Sequence, residues 1–213
     1  MKDHEIRTYQ DAPKVCVREE EGKPSMIEGY AVVFNSRSNL LYDWMAGEPF
    51  YETISRDAVN EIDLNGWDVK ADIDHDPSQL LARSVCGKGS LRLSVDDTGV
   101  RYEFPVPHTI DGERACERIK RGELFGSSFA FSFDEKTGCT YSRDKDNNLC
   151  REVTKIDRMY DVSIVQNPAY QASSVSQRSM EELGVIKKEE KSERNEELEK
   201  AFKEYRKEIE NIY

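Results

Sequence analysis

One short stretch constrains this chain more than any other. Ser127–Phe133 reads Ser-Ser-Phe-Ala-Phe-Ser-Phe, an alternation of period two that a β-strand turns into two different faces. Phe129, Phe131 and Phe133 make one face, which is a core face. Ser128, Ala130 and Ser132 make the other, and all three are small. A face so small leaves room for a groove or for closely approaching backbone. A chain built around such a strand contains a sheet.

The neighbouring segments agree. Met26–Phe34 (MIEGYAVVF) is rich in β-branched and aromatic residues and reads as a buried strand. Residues 35–50 read as a loop. Residues 55–62 read as a short helix with Ser55 as N-cap. Trp67–Asp74 is a strand leading to His75. Residues 90–95 and 99–106 form a hairpin, because Asp96, Asp97, Thr98 and Gly99 between them are turn residues. Residues 109–122 are the best internal helix, with Thr109 or Asp111 at its start and Gly122 just past its end. A second hairpin turns around Asp146, Asn147 and Asn148. Tyr160–Val165 (YDVSIV) is the closing strand, and Asn167-Pro168-Ala169-Tyr170 turns the chain away.

Three regions follow. Residues 1–25 are a polar lead, read either as an edge strand or as a mobile segment. Residues 26–178 are the main domain. Residues 179–213 are a charged helical tail: residues 181–213 hold 11 Glu, 6 Lys and 2 Arg. Leu198, Phe202, Tyr205, Ile209 and Ile212 are spaced four, three, four and three apart along it, a heptad-like seam. The tail reads equally as a docking helix or as a solvated one.

Charge and composition exclude some functions. The formal net charge is −11, and phosphate binding wants a basic patch, so no direct nucleic-acid partner is expected. No apolar run approaches the ~20 residues of a membrane helix, and the N-terminus lacks the apolar stretch of a signal peptide. A soluble, intracellular protein without a membrane partner is expected. The five cysteines are odd in number and contain no CxxC pair, which reads as separate reduced thiols rather than a disulfide framework or zinc knuckle.

Three histidines limit the search for a general base. His4 is terminal, His108 lies in a loop between Pro107 and Thr109, and His75 ends a strand inside ADIDHDP. On that strand Val69, Ala71, Ile73 and His75 share one face and Lys70, Asp72 and Asp74 the other. The carboxylates Asp72, Asp74 and Asp76 around His75 raise the question of a metal, but no second histidine or cysteine lies near them, so neither metal nor cofactor is expected. A serine hydroxyl needs a base to take its proton. A histidine does this near neutral pH, and a third group fixes its tautomer. The serine strand, His75 and Asp161 together supply those three roles.

The chain resembles the tailed-phage prohead proteases. GELFGSSFAFSF is similar to the family's nucleophile strand, in which a Gly-rich lead enters Ser-Phe-small-Phe; by that match Ser128, not Ser127, is the nucleophile. His75-Asp76 resembles the family's His-Asp segment, followed by Ala82-Arg83 where a small residue and Arg are expected. YDVSIVQNPAY resembles the acidic-Val-Ser-hydrophobic-Val strand and its Pro-Ala-Tyr turn, which gives Asp161 the acidic position. MIEGYAVVFN resembles the opening strand. Ala130 stands where the family often has Gly, and Asp161 where it often has Glu.

The resemblance implies a fold like the herpesvirus maturation protease: a closed or nearly closed, mostly antiparallel β-barrel ringed by helices. It implies a serine endopeptidase with Ser128 as nucleophile, His75 as base and Asp161 as orienting acid. The implied substrates are scaffold segments of the major capsid protein and the protease itself. The implied setting is the host cytoplasm, inside the assembling prohead, with the chain as a homo-oligomer. The competing readings are a non-catalytic capsid-assembly or scaffolding protein and an unrelated β-barrel binding module. Arg143, Arg151 and Arg158 are candidate helpers near a reacting carbonyl.

Overall fold

The computed structural model describes residues 5–8, 13–43 and 47–166. The seam of the charged tail and the Asn167–Tyr170 turn lie outside these residues. Fourteen strands are described: β1 Glu5–Thr8, β2 Cys16–Arg18, β3 Met26–Val33, β4 Leu41–Asp43, β5 Glu48–Ile54, β6 Asp68–Ile73 and β7 Ala82–Val85, followed by β8 Lys88–Gly89, β9 Arg92–Val95, β10 Gly99–Pro105, β11 Gly126–Ser132, β12 Cys139–Arg143, β13 Leu149–Val153 and β14 Arg158–Val165. Two α-helices accompany them, α1 Glu61–Leu64 and α2 Ile110–Lys120.

The strands form three sheets. The largest has six strands in the order β1-β11-β14-β6-β7-β8; the others run β2-β3-β10-β9 and β12-β13-β5-β4. Among the described residues no sheet closes into a barrel, which corrects the barrel expectation. The six-stranded sheet ends on β1 at one side and on the two-residue β8 at the other. The sheets are also less antiparallel than expected, since β14 pairs with β6 and β13 with β5 in parallel.

The alternation in β11 does what its sequence requires. Phe129 and Phe131 are fully buried and stack at 5.0 Å, inside a core that also takes Ile27, Tyr102, Phe104, Leu124, Met159 and Ile164. The opposite face is buried as well, because β11 lies between two strands and beneath side chains on both faces; Ser128, Ala130 and Ser132 have 5% exposure or less. Each buried hydroxyl on this strand has a partner, as burial demands: Ser127 with the Tyr102 hydroxyl at 2.8 Å, and Ser132 with the Tyr160 hydroxyl at 3.2 Å. Tyr102 reaches Ser127 across Gly29 of β3. A Cβ at Gly29 would lie 2.6 Å from the Tyr102 oxygen, so only glycine lets this phenol cross the core.

Both predicted hairpins are present, β9–β10 and β12–β13. So is α2, capped by Thr109, whose side chain accepts from Gly112 N at 3.1 Å, and ended by Gly122 at φ 74°. The helix expected after Ser55 is divided. A 3₁₀ turn covers Arg56–Ala58, and Val59, buried and extended, separates it from α1. Asn60 caps α1, while Ser55 makes no side-chain capping bond. The segment read as a loop contains β4 and the first three residues of β5. The polar lead contributes two edge strands, β1 beside β11 and β2 beside β3. All five cysteines are free thiols.

Candidate active site

Three adjacent strands of the large sheet bring the candidate residues together. Ser128 lies on β11, Asp161 on the neighbouring β14, and His75 just past the end of β6. The register sets Ser163 of β14 opposite both Ser128 and Asp72. Ser128, Ser163 and Asp72 therefore form one row across the sheet.

His75 does not continue the alternation of β6, as the sequence suggested. The strand ends at Ile73, and Asp74 and His75 follow with φ of 50° and 56°. The Asp76 N–H donates back to the Ile73 carbonyl at 3.0 Å. Positive φ at both central residues is the mark of a type I′ turn, and His and Asp tolerate it better than most side chains. The turn is tied to β14 twice: Asp74 N–H donates to the Ile164 carbonyl at 3.2 Å, and His75 N–H donates to Ser163 Oγ at 2.8 Å. The strained turn thus aims the imidazole back over the sheet.

There the ring joins the other two side chains. His75 Nδ1 lies 2.8 Å from Asp161 Oδ1, and His75 Nε2 lies 2.6 Å from Ser128 Oγ. In the tautomer that serves both bonds, Nδ1–H donates to Asp161 and Nε2 accepts from the hydroxyl. The Ser128 residue is buried, whereas the His75 and Asp161 side chains keep 18% and 16% exposure. A hydroxyl, an imidazole and a carboxylate so arranged can pass the hydroxyl proton to the ring and hold the resulting imidazolium.

Behind them lies a second carboxylate, which the sequence reading weighed only as a metal ligand. Asp72 is almost fully buried, and its Oδ1 has no hydrogen-bond partner. Burial, and then the charge of Asp161, push its carboxyl up to about 6. The acidic group that had suggested a metal does not converge: Asp74 accepts from Gln166, and Asp76 caps the turn at Ser78. A different set, Asp72, His75 and Asp161, holds its ligand atoms within 4.8 Å of one another, but His75 Nδ1 is already engaged by Asp161. The other candidate helpers point elsewhere. Arg143 pairs with Glu48, Arg151 with Glu52 and Glu5, and Arg158 lies over the Tyr160 ring. The remaining described histidine, His108, sits in the loop before α2.

Residues 13–185 match the family model of the caudovirus prohead serine proteases, and the chain belongs to that family. It is thus a member of a protease family. The bacteriophage T4 capsid assembly protease gp21 is a structural neighbour, with a TM-score of 0.45 and 14% identity over 78% of this chain and 98% of that one. No curated protein matches the sequence.

Proposed function

We propose that the chain is a serine endopeptidase of prohead maturation, with Ser128 as nucleophile, His75 as general base and Asp161 as the group that orients the base. The observation that carries this reading is the continuous pair of short bonds from Ser128 Oγ to His75 Nε2 and from His75 Nδ1 to Asp161. In the first step Oγ attacks a peptide carbonyl while its proton passes to Nε2, and Asp161 stabilises the doubly protonated ring. That proton then goes to the leaving amine. Water, deprotonated by the same nitrogen, releases the acyl group from Ser128 and restores the hydroxyl. No metal or cofactor is needed for any step.

The substrates in this reading are scaffold segments of the major capsid protein and the protease itself, cut inside the prohead in the host cytoplasm by assembled copies of the chain. Family membership supports the setting, and a net charge of −11 suits protein rather than nucleic acid as substrate. No described helix is long and apolar enough to cross a membrane. The test is co-expression with the capsid protein, followed by mass spectrometry of both. New termini in the capsid protein that vanish with Ser128→Ala are expected. Capsid protein left whole, together with no labelling of Ser128 by a fluorophosphonate, would leave the scaffolding reading in its place.

A further inference from the structure

Asp72 has no place in the proton path from Ser128 to Asp161, yet the fold seats it on the same face. Across the sheet it stands opposite Ser163 of β14, which in turn stands opposite Ser128 of β11. The residue is 2% exposed, and its Oδ1 has no hydrogen-bond partner. One atom of its carboxyl lies within 4.8 Å of a ring nitrogen of His75 and of a carboxylate oxygen of Asp161. An asparagine would fill the same space with no charge to bury. A buried acid short of a partner lowers stability whenever it ionises, and a burden of this kind inside a site points to a use.

The groups around Asp72 divide by what they do to it. Burial and the charge of Asp161 oppose its ionisation; Ser163, the positive form of His75 and then Lys70 favour it. Lys70 is half-buried and stands opposite Asp161. The remaining charges nearby are engaged elsewhere. Arg83 of β7 pairs with Asp68, and beyond β11 Arg7 and Arg151 pair with Glu5 and Glu52. On the turn, Asp74 bonds Gln166 and Asp76 bonds Ser78. Asp72 is thus set to answer a change of charge on the ring. The effect is mutual: a positive ring favours the Asp72 carboxylate, and the carboxylate favours a positive ring by the same amount. The ring turns positive only as Ser128 gives up its proton, so the attraction is greater in the attacking state than at rest.

We propose, resting on the assignment of Ser128 as nucleophile and His75 as base, that Asp72 is a second acid behind the base, a positioning residue whose carboxylate adds to Asp161 in holding the imidazolium and so quickens attack by Ser128. Asp161 orients the ring through Nδ1, and Asp72 acts on it through space. A protonated Asp72 gives no such help, so the site is slower while this carboxyl is neutral. The carboxyl is raised to about 6, and the help therefore comes in as pH rises through that value.

The test uses the full chain and the rate at which a fluorophosphonate labels Ser128, followed from about pH 5 to about pH 8 in the parent and in Asp72→Asn. Ser128→Ala fixes the background. The ratio of parent to variant rates should climb with pH through one step near 6. The whole climb should be about tenfold, because an opposite charge at about 4–6 Å favours a charged form by at least that factor. Asp72→Ala should trace the same step, and serves if Asp72→Asn does not fold. A purely structural role would lower the rate by a factor that does not change with pH. A ratio that stays level, at one or at any uniform loss, or that falls as pH rises, overturns the proposal. If neither the parent nor either variant labels, the assignment of Ser128 as nucleophile fails first, and the second acid falls with it.

Discussion

The strand that carries Ser128 has two flanks built in opposite ways. On the β14 side the polar groups are few, bound by single directed hydrogen bonds, and held by a turn with two residues at positive φ. On the β1 side four charges sit in a square of ion pairs, with Glu52 fully buried. The first arrangement leaves a proton between two acceptors. The second neutralises every charge it contains. Substitution on the first flank should therefore change rate more than stability, and on the second stability more than intrinsic reactivity.

The largest expected effect is on the β14 flank. Ser128→Ala or His75→Ala should each lower peptide hydrolysis by about 10⁶, as for members of a triad acting as a unit, with the circular dichroism spectrum retained. Activity lost with Ser127→Ala but kept with Ser128→Ala would reverse the assignment of the two serines. Asp161→Asn comes next, at about 10⁴ in kcat, whereas Asp161→Glu should keep much of the rate. Equal rates for Asp161→Asn and the parent would remove the orienting role.

The charged flank is tested by Glu52→Ala. It leaves Arg151 and Arg7 to share Glu5 alone, two bases with one acid around a buried site, at a cost of about 3–5 kcal/mol, read as a lower urea midpoint. A variant as stable as the parent would mean that the square contributes nothing. Asp72 supplies a smaller, pH-dependent effect. Its carboxyl is raised from 3.8 to about 6 on folding, so the folded state holds this proton more tightly than the unfolded chain. The resulting stability is fully present below pH 4 and is lost as pH rises through about 6. Asp72→Asn carries no charge to bury, so its free energy of unfolding in urea should match the parent's near pH 4 and exceed it at pH 8, by on the order of 2–3 kcal/mol. Ser163→Ala should have the mildest consequence. It removes the acceptor for His75 N–H and should cost about 1 kcal/mol, with a modest fall in kcat as the turn loosens.

The elements legible in the sequence are those whose signals are local. The period of β11, the turn residues of the two hairpins and the Thr109 cap of α2 each lie within one short segment. The strand β5 was hidden because its inward set, Phe50, Glu52 and Ile54, includes a buried acid. That acid makes sense only beside Arg151, 99 residues on in the chain. The three candidate site residues were legible as types, a serine on a small face that also holds Ser132, one usable histidine and one acid, and the resemblance chose Ser128. The turn that bends His75 out of its strand was not, since positive φ at Asp74 and His75 is imposed by bonds to β14. The role of Ser163 had a signal in its place two residues after Asp161, on the same strand face. Barrel closure and the seat of β1 depend on edge pairing between distant segments, for which alternation gives no partner.

The position of β14 has a consequence for the order of synthesis. It is the last described strand in the chain, yet it lies between β11 and β6. Until it emerges from the ribosome, the strands bearing Ser128 and leading to His75 have no shared neighbour, and the imidazole has neither Asp161 nor the anchor of Ser163. At roughly 5–20 residues per second, Ser128 is made on the order of seconds before the proposed triad can assemble. On the proposed assignment, the nascent chain is in this way inert beside the translating machinery, because the strand that bears Asp161 is the last of the described strands to arrive.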